Sequence, residues 1–355
     1  MSGVGCGVIL SSIGLNTLSV PQATEPLWQE LAQFGSFLLC YVAISLPFDW
    51  IGGSLIPRIY HHRSSPPFWR TWTRGALAHA LLLWSIAALL LSASRIGGSQ
   101  LLFATFSLIT LALIAAQKHI ATTIASFDGA TGSTNKEGMT TIALKSDETA
   151  FSGGVVGWPR KEQIIQPASW QNKLPATLFE HLLARRALAI KTGLRTRGLI
   201  VATAWVAAGL AIALWLEPTA IHNAEGLLRI AFRTTLWQFL GLLILPTLSR
   251  QGTVRLDYEQ IQQGSSKQQQ HEFIRQQSQL EDGETQRSPI VETIFHPLPS
   301  IVNRLAELDR EPLCQGAWNA NRMMLYLNWA TLGLLSRAVH CNIGRPSLWV
   351  LPPVD

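Results

Sequence analysis

The stretch that decides the fold reads Leu174-Pro-Ala-Thr-Leu-Phe-Glu-His-Leu-Leu-Ala-Arg185-Arg186-Ala-Leu-Ala189-Ile-Lys-Thr-Gly193. Pro175 stands near its start, where a missing backbone N–H costs nothing, and Gly193 closes it, where a left-handed residue ends a helix. Arg185 and Arg186 sit in its second half, and Lys191, Arg195 and Arg197 follow. The stretch therefore reads as a helix with a basic end. It leads directly into Gly198–Leu216, which carries no charged residue and is long enough to cross a bilayer.

Outward from this helix the chain reads as a membrane protein. Of its 355 residues 48% are hydrophobic and 14% are charged, against about 25% charged in soluble domains. Five segments can span: 31–48, 75–94, 100–117, 198–216 and 230–248. Pro47 and Asp49 end the first, and Arg229 and Arg233 crowd the start of the fifth. The loop after the first span carries Arg58, Arg63, Arg70 and Arg74, whereas residues 217–227 carry Glu217 and Glu225 and no Lys or Arg. Positive-inside counting then puts 51–74, 118–197 and 249–355 in the cytoplasm and the N-terminus outside. The apolar patch Val8–Leu18 has no basic residue before it, which argues against a cleaved signal peptide. The net charge of +6 is spread over many loops rather than gathered in one stripe, which argues against nucleic acid as a partner. Cys6, Cys40, Cys314 and Cys341 form no CxxC pair, so zinc-ribbon and redox motifs are unsupported. Trp50, Trp69, Trp72 and Trp215 lie near span ends and read as interfacial anchors. Asp49-Trp-Ile-Gly-Gly reads as an interfacial bend without chemistry.

Two polar blocks land on one side of the membrane. The first opens with the turn-rich Asp128-Gly-Ala-Thr-Gly-Ser-Thr-Asn, followed by β-like runs at Thr140–Leu144, Phe151–Val156 and Gln163–Gln166. Gly153-Gly154 and Gly157-Trp-Pro159 punctuate them, so a small meander is expected. In the second block Glu259–Leu280 is Gln-rich and reads as an exposed helix or a mobile segment. Met323–Leu335 reads as an amphipathic helix on the domain or the membrane surface. The organisation that follows is an N-terminal segment (1–30), three transmembrane helices with a basic loop (31–118), a first half-domain (119–197), a transmembrane hairpin (198–248), a second half-domain (249–315) and a helical tail (316–355).

Four features together resemble the HtpX and CAAX-prenyl-protease type of membrane zinc metallopeptidase. The helix keeps the family's Leu, the Leu-Ala before its His-Glu-x-x-His, and Ile190-Lys191-x-Gly193 after it. A transmembrane hairpin follows directly. Leu248-Ser249-Arg250-Gln-Gly-Thr253-Val-Arg-Leu256-Asp257 resembles the family's Ser-Arg-x-x-Glu-x-x-Ala-Asp, and His296-Pro297-Leu-Pro-Ser300-Ile-Val-Asn-Arg304 resembles its His-Pro-x-x-x-x-Arg, with Arg304 coming later than that pattern asks. The resemblance covers roughly 140–310. It implies an α+β membrane protein of about five transmembrane helices, with a cytoplasmic zincin-like domain interrupted by a transmembrane hairpin.

The resemblance also implies an emptied zinc site. The ligand and base positions are Arg185, Arg186, Ala189 and Thr253. A guanidinium has no lone pair to offer and alanine has no ligating atom. Two cations would repel a divalent metal. The implied chain has no catalytic residue and no cofactor, zinc being lost. Its partners would be the lipid bilayer and either protein clients or an active peptidase relative, and its place a bacterial inner membrane. Three roles stand open for the arginines: an ion pair of Arg185 or Arg186 with Asp257, with Glu180 assisting; an anion site formed by both; or a solvated basic cluster beside lipid headgroups. Glu180, His181, His222, His271 and His296 are the only relocated ligands worth weighing for an active zinc endopeptidase, and Glu180 and His181 face different sides of the helix. An unrelated multi-pass protein would show no sheet packed on 174–193 and no approach of Thr253 to Arg185.

Overall fold

The computed structural model describes residues 25–61, 68–125, 127–134, 138–146, 148, 150–217, 222–281, 285–308, 310–339 and 342–351. The expectations for Val8–Leu18, Arg63, Cys6 and Cys341 lie outside the described residues. Among the described residues four helices are long and apolar enough to cross a membrane. We label them α1 (Leu27–Trp50, continued through a π-helical turn at Ile51–Leu55), α2 (Phe68–Ala125), α4 (Leu194–Leu216) and α5 (Ala224–Gln262). Between α2 and α4 lie four strands, β1 (Asp128–Thr134), β2 (Thr140–Lys145), β3 (Gly154–Val156) and β4 (Gln163–Pro167), and helix α3 (Ala176–Lys191). After α5 come α6 (Lys267–Glu281), α7 (Pro289–Phe295), α8 (Ile301–Glu307) and α9 (Ala320–Leu327).

The expectation of five separate spans becomes four helices, because two of the predicted spans share α2. A straight helix of 58 residues would be about 87 Å long at 1.5 Å per residue, far beyond a bilayer. It is broken at Gly97 and Gly98, where φ is −135° and +61°. The chain returns there: a Cβ at Gly75 would lie 2.9 Å from the carbonyl oxygen of Ile124. The segments 75–94 and 100–117 thus become two arms of a hairpin.

Contacts divide the chain into two compact units, each assembled from non-contiguous pieces. The first takes in residues up to 126, 205–239 and 325–350. At one end of it Glu30 accepts hydrogen bonds from Arg95 Nη2 (3.1 Å) and from the backbone N–H of Ala224 (2.6 Å), so the carboxylate of α1 caps the start of α5. Arg95 Nε also donates to the His222 carbonyl at 3.0 Å. At the other end lie Asp49, Trp72, Gly75 and Ile124. The tail segment does not lie on a surface, as the sequence suggested. Trp329, Trp349, Tyr326 and Asn328 are buried, and Tyr326 donates to the Leu113 carbonyl at 2.8 Å. Its irregular turns are tolerated because the surrounding helices cover their backbone.

The second unit comprises residues 127–204 and 240–324 with the last few residues of the chain. Its sheet has the order β1-β2-β4-β3. It is not the expected meander: β2 and β4 are parallel, while β1–β2 and β3–β4 are antiparallel. The segment 128–134, read as turns, forms the outer strand β1. Its glycines and short polar side chains lower strand propensity, but pairing along β2 outweighs that on an edge. At Gly153 φ is +79°, and a Cβ there would stand 2.1 Å from the Ile165 carbonyl oxygen, so only glycine lets this turn close on β4.

Helix α3 begins after Pro175 and ends at Gly193, where φ is +74°. It is covered on two sides. Ala187, Leu188 and Ala189 pack with Val155 and Ile164 of the sheet and with Leu256 and Trp318. Leu178 and Leu182 pack with Trp170, Phe273, Ile274 and Leu308. The sheet therefore holds one face of α3, and α6 holds another.

Candidate functional site

Because α3 is buried on both sides, Arg185 and Arg186 are each 0% exposed. Neighbours on a helix point apart, and the two arginines go opposite ways. Arg186 turns to the sheet, donating from Nη1 to the Ile165 carbonyl (2.9 Å) and from Nη2 to the Ser152 carbonyl (2.7 Å), with its guanidinium 5.3 Å from the centre of the Trp170 ring. Arg185 turns to α5. It donates to Asp257 Oδ1, to Gln260 Oε1 (3.0 Å) and, at 3.5 Å, to the Thr253 carbonyl. The reading of both arginines as a solvated cluster beside headgroups is overturned by their burial.

Asp257 is the centre of a larger cluster. Arg304 of α8 donates from Nε to Oδ2 (2.5 Å) and from Nη2 to Oδ1 (2.8 Å), a two-pronged pair. Arg304 also donates to Gln277 Oε1 at 3.0 Å, and Gln270 Nε2 donates to Asp257 Oδ1 at 3.0 Å. One buried carboxylate thus joins α3, α5, α6 and α8. Arg250, from the same motif as Asp257, donates to the carbonyls of Glu292 (2.7 Å) and His296 (2.8 Å). The two downstream motifs of the family resemblance therefore meet each other, with Arg250, Asp257 and Arg304 all engaged. Glu180 is exposed, and Ala189 belongs to the apolar cluster against the sheet.

The Gln-rich segment is helical and exposed on one face, as at Gln262, Gln263, Gln268 and Gln269, but its other face is buried. Gln260, Gln270 and Gln277 are buried and supply the cluster's neutral groups. Their roles are fixed by the arginines, which can only donate. Gln260 turns Oε1 to Arg185 and also accepts from Gln270 (3.1 Å), so its Nε2 must donate to His181 Nε2, 2.9 Å away. That leaves His181 a neutral ring protonated on Nδ1. Burial, and next the Arg185 guanidinium, push its pKa down from 6.5 to about 4, while Asp257 pulls the other way. The signal in the sequence was the spacing Gln270, Phe273, Ile274, Gln277, one helical face with polar ends and an apolar middle.

These residues do not fit a zinc ion. The ligand positions implied by the resemblance hold buried guanidinium groups, an alanine methyl packed on the sheet, and Thr253, which meets Arg185 through its carbonyl. Among the described residues no three His, Cys, Asp or Glu side chains gather as a ligand set. Searches of family models, curated proteins and solved structures find no match to this chain.

A second buried cluster lies in the first unit, where the sequence suggested only a bend. Asp49 Oδ2 accepts from Trp72 Nε1 (2.9 Å) and Arg337 Nη2 (2.6 Å), and Oδ1 accepts from the Gly344 N–H (2.9 Å). Trp72 is accordingly buried rather than an interfacial anchor, whereas Trp50, Trp69 and Trp215 are exposed. Gly53 admits the tail: a Cβ there would stand 2.1 Å from the Gly344 carbonyl oxygen.

Proposed function

We propose that the chain is a membrane-embedded, catalytically inert relative of the HtpX and CAAX-prenyl-protease type of zinc metallopeptidase, and that it acts by binding rather than by cutting. The observation that carries this reading is the exchange at the ends of α3 and α5. Where the family it resembles has a metal joining two helices, this chain has Arg185 bonded to Asp257. A guanidinium can tie two helices, but it cannot activate water as a metal does. The basic loops suit a cytoplasmic second unit. Its binding partners would be client segments or an active peptidase relative, presented at the bilayer of a bacterial inner membrane.

Metal analysis of the detergent-purified protein, paired with a casein cleavage assay, tests this. Zinc well below one per chain and no chelator-sensitive cleavage are expected. Stoichiometric zinc together with cleavage that a chelator abolishes would overturn the reading in favour of an active endopeptidase.

A further inference from the structure

The Asp49 cluster has the make-up of a cation receptor. Asp49 and Arg337 are each 2% exposed. The carboxylate is held in place by two neutral donors, Trp72 Nε1 and the Gly344 N–H, leaving Arg337 as the cation that balances it. Arg337 itself is held mainly by rings. Its guanidinium lies 4.3 Å from the centre of the Trp349 ring and 5.5 Å from that of Tyr41. Its Nη2 reaches Ser45 Oγ at 3.4 Å, while its Nε and Nη1 have no hydrogen-bond partner among the described residues. A planar, weakly hydrated cation stacked on aromatic faces beside one carboxylate is the setting that favours guanidinium over ammonium. The backbone of α1 departs from regularity beside it: a π-helical turn begins two residues after Asp49, and Gly52 and Gly53 allow residues 343–344 to approach. Such turns collect at functional sites.

We infer that Asp49, together with the Tyr41 and Trp349 rings, is a guanidinium receptor whose resident ligand is the chain's own Arg337. It takes an alkylguanidinium, or the arginine of another polypeptide, when Arg337 is withdrawn. The inference stands apart from the Arg185–Asp257 cluster and from the reading built on it.

Chemical rescue of the full chain in detergent tests it. Arg337→Ala lowers the unfolding temperature. Ethylguanidinium restores more than half of that loss, with a saturable dependence on its concentration. Ethylammonium and urea do not, and Asp49→Asn in the same chain abolishes the rescue. No rescue, or equal rescue by all three compounds, overturns the proposal. If Arg337→Ala does not fold, hydrogen exchange of residues 335–345 in the unmodified protein decides. Saturable acceleration by ethylguanidinium over ethylammonium is expected, and identical exchange with both overturns it.

Discussion

Asp257 shows how much rests on one side chain. Two arginines converge on it inside the protein. Taking both partners from water is expensive, and the pair is retained only because the geometry and the surrounding amides repay the cost. Asp257→Asn keeps the shape and removes the buried charge on which Arg185 and Arg304 converge. A loss of about 3 kcal/mol or more is expected, read as a lower denaturation midpoint in detergent; an unchanged midpoint would refute the role given to this carboxylate. His181 sets a pH dependence with a definite sign. Its folded pKa of about 4 lies below the ordinary 6.5, so the unfolded chain binds the proton more readily. The stability this ring contributes is present above pH 6.5 and is lost as pH falls towards 4. Unfolding temperatures measured at about pH 7.5 and about pH 5 should differ less for His181→Gln than for the unmodified protein; an equal difference would exclude the ring as the titrating group.

Elements differ in how openly the sequence declares them. Helix α3 was legible at both ends, because Pro175 and Gly193 state their backbone preference locally. Strands β2 and β4 were legible for a similar reason, as short apolar runs between turn residues. Strand β1 and the order of the sheet were not, since pairing partners fix them and no residue in 128–134 names its neighbour across the sheet. The role of Gln270 was hidden too: a polar side chain on a polar-rich helix looks solvated until Asp257 is placed beside it. The α2 hairpin gives a test at this scale. Gly98 holds a positive φ with open space around it, so Gly98→Ala meets strain without a clash and should cost about 1 kcal/mol. Gly153→Ala must also displace the backbone of β4, and should lose several times more folded protein when refolding yield is compared. Equal yields would mean that the turn at Gly153 can relax.

Over the whole molecule the two charged clusters belong to different units. Asp49→Asn and Asp257→Asn share no partner, so their effects on stability should add to within about 0.5 kcal/mol. A larger coupling energy in a double-mutant cycle would show that the two carboxylates are energetically coupled. Neither cluster was read correctly end to end from the sequence: the pairing of Arg185 with Asp257 was one of three roles weighed, and Asp49 was passed over because its partner lies 288 residues away. The Glu30 cap has a consequence for biosynthesis. Its two donors are separated by 65 and 194 residues from the carboxylate they share. When α1 leaves the ribosome its carboxylate has no partner; Arg95 follows one hairpin arm later, and the N–H of Ala224 only after the whole sheet and α3 have been made. The cap of α1 on α5 is therefore complete only after a further 194 residues have been made, with Arg95 as an earlier partner of the acid. A protein that holds that acid in the interim, or a lipid surface that keeps it hydrated, would govern how much of the newly made chain reaches its final arrangement.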